Sequence, residues 1–487
     1  MYDCELIRRV AGFSAASSCY APVEAFGRVT SGGGLSIRVN GLSGWLSVGD
    51  RLELTDSRGA AHIADAIGFG THDALVMSHT WLTGLGTGAL AILRPKWHAG
   101  VFEGTPGRLP VSNHWLGRVI DPHGRPLDDQ GPLPEGTSRS VASSPAAATS
   151  RARLGDRIDV GVGVLNAFVP VLKGQRLGIF SGAGAGKSTL MGMLARFSAC
   201  EVLVVALIGE RGREVREFLD NELSADRLSR AVVVVATSDT PPLMRREAAY
   251  VAMTIAEHFR DEGRSVLLLM DSVSRFCAAL REIALSVGEA PASRGYPPSV
   301  FAELPRLLER AGPGVERADG SDPGYVTAFF TILVEGDDDN EPIADAARGF
   351  LDGHIKLDRK TGESGRYPAV DVLGSLSRTA QKCLSKREIM IAKQSRAVLS
   401  TWKEMREIVT LGVYRPGSDQ AVDAAIQLIP RLEAAITQDK DQCVGFEAIF
   451  TALELALGSA DGSQTMADGG KDKTARFPSG PRDFVST

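Results

Sequence analysis

Gln175-Arg-Leu-Gly-Ile-Phe-Ser-Gly-Ala-Gly-Ala-Gly-Lys-Ser-Thr-Leu-Met-Gly-Met-Leu-Ala195 is the stretch that decides the fold. Its apolar run from Leu177 to Phe180 predicts a buried strand, the glycines after it predict a tight turn, and the apolar residues that follow have helical spacing. A strand followed by a glycine-rich turn, Lys-Ser and a helix is the arrangement of a phosphate-binding P-loop. Glycine is needed because the backbone must approach a phosphate closely and adopt conformations that a side chain blocks.

The predicted nucleotide contacts are the residues of this turn and of the first helical turn: Gly182, Ala183, Gly184, Ala185, Gly186, Lys187, Ser188 and Thr189. Lys187 is expected to reach the outer phosphates of ATP, and the Ser188 hydroxyl to bind the accompanying Mg²⁺. Ser181 occupies the first glycine position of the strict pattern, but serine is small and the neighbouring glycines keep the loop flexible. The alternative is a glycine turn before an ordinary helix, and Lys-Ser directly after Gly186 disfavours it.

Composition limits the function classes. The 487 residues carry 54 Lys and Arg against 59 Asp and Glu, for a formal net charge of −5. This balance gives no reason to expect nucleic-acid binding. No apolar stretch is long enough to cross a bilayer. The scattered cysteines form no C-x-x-C pair and are expected to be reduced thiols in a cytosolic protein: Cys4, Cys19, Cys200, Cys277, Cys383 and Cys443.

The length predicts more than one domain. Period-two alternation over 35–39 and 51–54, separated by glycine-containing turns, predicts a small β-barrel domain over residues 25–95. Residues 1–24 are expected to form an irregular N-terminal arm. Near-continuous apolar strands alternate with helical stretches and predict an α/β nucleotide-binding domain with a largely parallel sheet over residues 96–380.

Four strands of this sheet are predicted at 202–208, 231–236, 265–270 and 325–334, and the Ser/Ala-rich residues 138–150 are expected to be a flexible connection into the domain. The Pro/Gly-rich stretch 288–299 is expected to be an ordered loop. A C-terminal helical domain is predicted over 381–458, with helices at 387–411, 418–436 and 446–457. Residues 459–487 are polar and are expected to be a disordered tail.

Carboxylates at strand ends are the candidate catalytic and metal-binding groups. Asp271 directly follows an apolar strand, where a P-loop protein needs an acid to hold Mg²⁺. Glu210 follows another strand and could orient the water that attacks the γ-phosphate, with Arg211 steadying that carboxylate or a phosphate oxygen. A solvated charged turn is the alternative for Glu210 and Arg211, and a hydrated turn is the alternative for the acidic run 335–339.

The motifs together resemble one family. They are Gly209-Glu-Arg-Gly-Arg-Glu-Val215, Met270-Asp-Ser-Val-Ser-Arg-Phe276, Arg294-Gly-Tyr-Pro-Pro-Ser-Val-Phe-Ala-Glu-Leu-Pro305, Val334-Glu-Gly-Asp-Asp338, Asp352-Gly-His-Ile355 and Tyr367-Pro-Ala-Val-Asp-Val-Leu-Gly-Ser-Leu-Ser-Arg378. They resemble the rotary-type ATPases related to the catalytic β subunit of ATP synthase, and within these the ATPases of flagellar type III protein export. The ATPases of virulence-type secretion share nearly all of the motifs and remain the alternative.

The resemblance implies a RecA/F1-like P-loop core and a role for each matching residue. Glu210 matches the catalytic glutamate, Arg211 the arginine beside it, and Asp271 the Mg²⁺-side aspartate. Arg378 matches an arginine finger that reaches into the site of the neighbouring subunit. Two aromatic side chains match positions that contact adenine: Tyr367 and Tyr414.

The resemblance also implies partners. They are further copies in a homohexameric ring, a stator-like regulatory protein, a coiled-coil central stalk, the export gate, chaperones and export substrates. The loop 288–299 and the C-terminal helices would face the pore and the stalk. The protein would be a cytoplasmic Mg²⁺-dependent ATP hydrolase, peripheral at the inner-membrane export apparatus. A nucleic-acid motor and a non-catalytic assembly subunit are the rival functions, and the acidic balance and the complete set of Lys187, Glu210 and Asp271 disfavour them.

Overall fold

A computed structural model describes residues 25–93, 107–182, 184–334 and 341–458. Four predictions lie outside these residues: the arm at 1–24, the P-loop contact Ala183, the acidic run 335–339 and the tail at 459–487. Within the described part, the chain forms a β-barrel, an α/β unit built on one large sheet, and a group of C-terminal helices.

The predicted barrel is confirmed. Six antiparallel strands close in the order β1-β2-β5-β4-β3-β6. They are β1 (Ala25–Gly33), β2 (Ser36–Asn40), β3 (Arg51–Thr55), β4 (Ala61–Phe69), β5 (Asp73–Ser78) and β6 (Leu90–Leu93). Alternate side chains fill its interior, as period-two patterning requires: Leu52 and Leu54 are buried, and Glu53 between them is only partly so.

The predicted α/β unit is confirmed as a nine-stranded sheet. Eight strands follow the order β19-β18-β12-β17-β15-β13-β14-β8, with parallel inner pairs, and the ninth, β16, pairs with β17 off this path. The strands after the barrel are β7 (Arg108–Val111), β8 (Arg118–Ile120), β9 (Thr137–Ser140), β10 (Arg157–Ile158), β11 (Val171–Leu172), β12 (Arg176–Ser181), β13 (Val202–Glu210), β14 (Ala231–Thr237), β15 (Ser265–Asp271), β16 (Gly312–Pro313), β17 (Tyr325–Leu333), β18 (Gly353–Leu357) and β19 (Leu376–Ser377).

Helices cover both faces of this sheet, so each central strand is buried on two sides and has a continuous apolar sequence. The α-helices are α1 (Gly163–Phe168), α2 (Lys187–Phe197), α3 (Gly212–Glu217), α4 (Ala225–Leu228), α5 (Pro242–Asp261), α6 (Val273–Ser286), α7 (Pro298–Leu308), α8 (Pro342–Phe350), α9 (Arg359–Glu363), α10 (Ala380–Cys383), α11 (Lys386–Thr410), α12 (Gln420–Ile436) and α13 (Phe446–Gly458).

Two segments are more regular than their composition indicates. The prediction of a flexible connection over 138–150 is wrong for its first residues. There β9 pairs with β7, and the carbonyl of buried Val141 accepts a hydrogen bond from Arg310 (2.7 Å). The loop predicted over 288–299 contains a 3₁₀ turn, Ser293–Gly295, and its last residues belong to α7. Pro298 opens that helix because proline at the first helical position loses no hydrogen bond.

The three predicted C-terminal helices are present within a few residues of their expected bounds. Ser385 and Glu388 form a capping box at the start of α11, and Asp419 accepts hydrogen bonds from the first turn of α12. Among the described residues, no helix combines the length and the hydropathy needed to cross a membrane.

Candidate nucleotide-binding site

The carboxyl ends of parallel strands meet at one edge of the large sheet. Strands β12, β15 and β13 end there with Ser181, Asp271 and Glu210, with β17 inserted between β12 and β15. Ligands bind at this edge in open α/β sheets. The sequence positions that carry the predicted chemistry are therefore brought together by the topology.

The P-loop has the backbone that phosphate binding requires. Gly184 and Gly186 have φ angles of 76° and 83°, in the left-handed region that glycine adopts without a Cβ clash. Helix α2 begins directly after Gly186, so Lys187, Ser188 and Thr189 form its first turn. N–H groups in a first turn have no acceptor within their own helix and can bind an anion.

Lys187 links the two strand-end carboxylates. Its Nζ atom lies 2.6 Å from Asp271 Oδ1 and 3.3 Å from Glu210 Oε1, and all three side chains are at least four-fifths buried. Burial lowers the pKa of Lys187, but Asp271 and then Glu210 outweigh burial and leave that pKa raised. The lysine is therefore a fixed positive charge at the mouth of the P-loop.

Glu210 has a proton affinity suited to work near neutral pH. Burial and then the negative charge of Asp271 raise its pKa to about 7, while Lys187 opposes them, and a hydrogen bond with Glu214 adds to the rise. A carboxyl group whose pKa lies near the operating pH can orient and deprotonate water. Its neighbour Gly209 has a φ of 69° where the pairing of β13 with β14 shifts register.

Asp271 is the most enclosed acid of the site. Its Oδ1 atom accepts hydrogen bonds from Lys187 and from the Thr331 hydroxyl (2.7 Å). The carboxylates of Asp271 and Glu210 with the Ser188 hydroxyl form a set of hard oxygen donors of the kind that Mg²⁺ prefers. The residues present therefore fit an ATP–Mg²⁺ complex.

Arg211 makes its side-chain contact with Glu214 and not with the predicted catalytic carboxylate, among the residues that the structure describes. Its side chain is 74% exposed, and its guanidinium lies 3.5 Å from Glu214 at the start of α3. Within one chain Arg211 therefore does not steady Glu210, because its side chain points to solvent and to Glu214. A phosphate oxygen, the other contact expected for Arg211, stays a prediction.

Arg378 lies at the opposite end of the sheet from the P-loop. Its N–H donates to the Asp352 carbonyl (3.0 Å), and the Asp352 carboxylate accepts from the backbone of Arg176, the first residue of β12. The P-loop follows Ser181, the last residue of that strand, so about 16 Å of strand separates the two ends. The exposed guanidinium donates a hydrogen bond to the Arg348 carbonyl (3.3 Å).

Tyr367 lies beside the P-loop. A Cβ atom built on Gly186 would be 3.7 Å from the Tyr367 ring, and the side chain is exposed rather than packed in the core. An exposed aromatic ring next to the glycine loop offers a surface on which a base can stack. The predicted adenine contact at Tyr367 therefore has suitable geometry.

Tyr414 is not near the P-loop, and its prediction as an adenine contact of the same chain is wrong in this structure. Its hydroxyl is bound at the start of α12, to the Asp419 carbonyl (2.9 Å) and Asp423 (3.0 Å). Gln438, just past the other end of α12, donates its N–H to the Tyr367 carbonyl (2.8 Å). The 17 residues of α12 span about 25 Å and hold the two tyrosines apart.

Sequence reasoning missed two side chains that act on the site. Thr331 holds Asp271 from near the carboxyl end of β17, and Glu214 shares a hydrogen bond with Glu210 from the first turn of α3. The available signal for the first was a threonine near the end of a largely apolar strand, although Thr327 in the same strand carries the same signal. For the second, no helical spacing applies, because Glu210 ends β13 and Glu214 lies in the helix that begins at Gly212.

Comparison with known proteins identifies relatives over most of the chain. Residues 161–377 match the ATP synthase alpha/beta family, nucleotide-binding domain, and residues 384–455 match the T3SS EscN ATPase C-terminal domain. The flagellum-specific ATP synthase of Caulobacter vibrioides is 47% identical over 439 residues, which cover 90% of this chain and 97% of that protein.

Solved structures agree with these relatives. The assembled ATPase EscN from the enteropathogenic E. coli type III secretion system is 33% identical, with a TM-score of 0.80 over 88% of this chain and all of that chain. EscN in complex with its central stalk EscO gives a TM-score of 0.77 at the same identity and coverage.

Proposed function

Since this chain belongs to the ATP synthase alpha/beta family, and within it to the flagellum-specific ATP synthases, we propose that it hydrolyses ATP to ADP and phosphate to energise flagellar type III protein export. The observation that carries the proposal is Lys187 bound between Glu210 and Asp271 at neighbouring strand ends. These are the cation, the water-orienting carboxylate and the metal-side carboxylate that phosphoryl transfer requires.

The residues divide the work of hydrolysis. The P-loop N–H groups and Lys187 bind the outer phosphates, which replace Asp271 and Glu210 as partners of the ammonium group. Ser188 and Asp271 would hold Mg²⁺, and the ion would supply positive charge opposite the phosphates. Once Lys187 turns to the phosphates, Glu210 is free to orient a water molecule in line with the γ-phosphate and to accept its proton. Tyr367 stacks on adenine.

Arg378 supports catalysis in a neighbouring copy of the chain. Because it lies at the far end of the sheet, it is too distant to stabilise charge at the P-loop of its own chain. Head-to-tail contacts that close generate a ring in which every site receives one such arginine. We infer a homohexamer, as in the family, and the assembled state of EscN supports it.

Other partners follow from the relatives. The complex of EscN with its central stalk EscO supports a coiled-coil stalk in the ring of this chain. A stator-like regulator, the export gate, chaperones and export substrates complete the proposed set, with the ring at the cytoplasmic face of the export apparatus. The alternative, a virulence-type secretion ATPase, is disfavoured because identity is 47% to a flagellar relative and 33% to EscN.

The proposal is tested by measuring ATP hydrolysis by the purified chain and protein export in cells. Purified wild-type chain should release phosphate from ATP under oligomerising conditions, and Lys187→Ala should abolish that release. In a flagellated host lacking its own export ATPase, the wild-type gene should restore motility and export of filament protein. Glu210→Gln should not restore them, whereas Glu217→Gln, a matched change at an exposed carboxylate, should. Turnover retained by Lys187→Ala would refute the enzymatic assignment.

A further inference from the structure

A buried charged cluster joins the barrel to the α/β unit, away from the nucleotide site. The barrel contributes Arg51 from β3, Asp65 from β4 and His79, which directly follows β5. The α/β unit contributes Glu247 from α5 and His123 from the segment after β8. None of these side chains has a role in the proposed hydrolysis.

His79 is the central side chain of this cluster. Its side chain is 1% exposed, and its Nε2 and Nδ1 atoms lie 2.9 Å from Asp65 and 3.3 Å from Glu247. The contact with Asp65 orients the ring through Nε2, whereas Nδ1, on the Glu247 side, makes no hydrogen bond of regular geometry among the described residues. Buried polar atoms in native proteins are normally satisfied, so this ring is poised for a ligand.

Three ligand atoms converge at this point. One atom each from His79, His123 and Glu247 lie within 4.8 Å of one another. The two imidazole rings are neighbours, with centroids 4.8 Å apart. Two imidazoles and a carboxylate, with water in the fourth position, are a donor set of zinc sites. Zinc ligands about 2.1 Å from the ion lie about 3.4 Å apart, so the widest pair must close by about 1.4 Å.

The net charge of the cluster and the residue that orients its carboxylates both favour a bound cation. With neutral imidazoles, Asp65 and Glu247 leave one negative charge after pairing with Arg51. Arg51 binds both carboxylates, at 2.9 and 3.0 Å, and so fixes the orientation of Glu247 beside the two rings. Groups that orient ligands in this way are the usual support of a metal site.

We propose that His79, His123 and Glu247 bind one Zn²⁺ ion that fastens the barrel to the α/β unit. The ion takes one ligand from the barrel and two from the α/β unit, so it cross-links the two parts. The role of the ion is the cross-link: the cluster is distinct from Lys187, Glu210 and Asp271, so the ion takes no part in ATP hydrolysis.

The test is zinc titration of the purified full-length chain after chelator treatment, with excess Mg²⁺ present to occupy the nucleotide-site carboxylates. Calorimetry should give one Zn²⁺ bound per wild-type chain. His79→Gln and His123→Gln should abolish this binding, whereas His114→Gln, a matched change at an exposed histidine, should retain it. All variants keep the same cysteines, so thiol binding cancels in the comparison.

Two further measurements keep the test decisive if a ligand variant folds poorly. Asp65→Asn keeps all three ligands and should weaken zinc binding about 10- to 100-fold. Zn²⁺ should raise the thermal midpoint of wild type and of His114→Gln, because an ion that binds only the folded state stabilises it. Equal zinc binding by wild type and His79→Gln would overturn the proposal, as would no binding by wild type.

Discussion

Replacing Glu210 by glutamine should stabilise the nucleotide-free protein while abolishing hydrolysis. Burial and Asp271 raise the pKa of Glu210 from 4.5 to about 7. A carboxyl group with a raised pKa binds its proton more tightly in the folded chain than in the unfolded chain. The stabilisation that the protonated Glu210 carboxyl gives the folded chain is therefore complete below about pH 4.5 and is lost as the pH rises through about 7.

The size of the effect follows from that difference. At about 1.4 kcal/mol for each tenfold change in proton affinity, the shift from 4.5 to about 7 corresponds to about 3 kcal/mol. Glu210 interacts with Lys187 and Glu214, so its proton affinity does not belong to one residue alone. We therefore expect a stability difference between variant and wild type of about 1–3 kcal/mol at pH 8. Glutamine is neutral at every pH, and Lys187 keeps its 2.6 Å contact with Asp271. The variant should therefore be more stable than wild type at pH 8, and the difference should shrink as the pH falls to 5.

The assay is the thermal midpoint of nucleotide-free wild type, Glu210→Gln and Glu217→Gln between pH 5 and 8. Glu217 is the matched control because its side chain is 58% exposed and lies 3.6 Å from Arg213. Its replacement should leave the midpoint unchanged at every pH. A Glu210→Gln midpoint that runs parallel to that of wild type over the whole range would refute this account of the carboxylate.

Three other substitutions test separate parts of the structure. Arg310→Met should destabilise the α/β unit by about 3–5 kcal/mol, measured by calorimetry, because it leaves buried Glu257 without its cation; a loss below about 1 kcal/mol would contradict this. Gly209→Ala should lower kcat more than it raises KM, because a side chain at φ 69°, 3.0 Å from Arg275, displaces the adjoining end of β13; an unchanged kcat would count against it. Tyr367→Ala should raise KM for ATP several-fold and Tyr367→Phe should not, since stacking needs only the ring; equal effects would exclude stacking.

The parts of the fold with a strong local signal were predictable from sequence. The barrel, the central strands and the C-terminal helices follow period-two alternation, continuous apolar runs and helical spacing. The start of the 138–150 segment was missed, because Ser and Ala carry no periodic signal and its order comes from pairing with β7 and from Arg310. Tertiary contacts of this kind are absent from any local pattern.

The candidate site was predictable only in part. Lys187, Glu210 and Asp271 meet because each follows a parallel strand, and that rule needs only the order of elements. The displacement of Tyr414 depends on the length and direction of α12, which its sequence position does not reveal. The raised pKa of Glu210 depends on burial and on Asp271, and both arise only after folding.

The shared active site is tested most directly by mixing two inactive chains, Lys187→Ala and Arg378→Ala. The first retains the arginine and the second retains the P-loop, so some interfaces of a mixed ring join an intact P-loop to an intact arginine. For random one-to-one mixing, about a quarter of interfaces are of this kind, and we expect about a quarter of wild-type phosphate release. Arg359→Ala, at an exposed arginine, is the matched control and should hydrolyse ATP normally by itself. If Arg378 acted only within its own chain, the mixture would remain inactive, and that result would contradict the account.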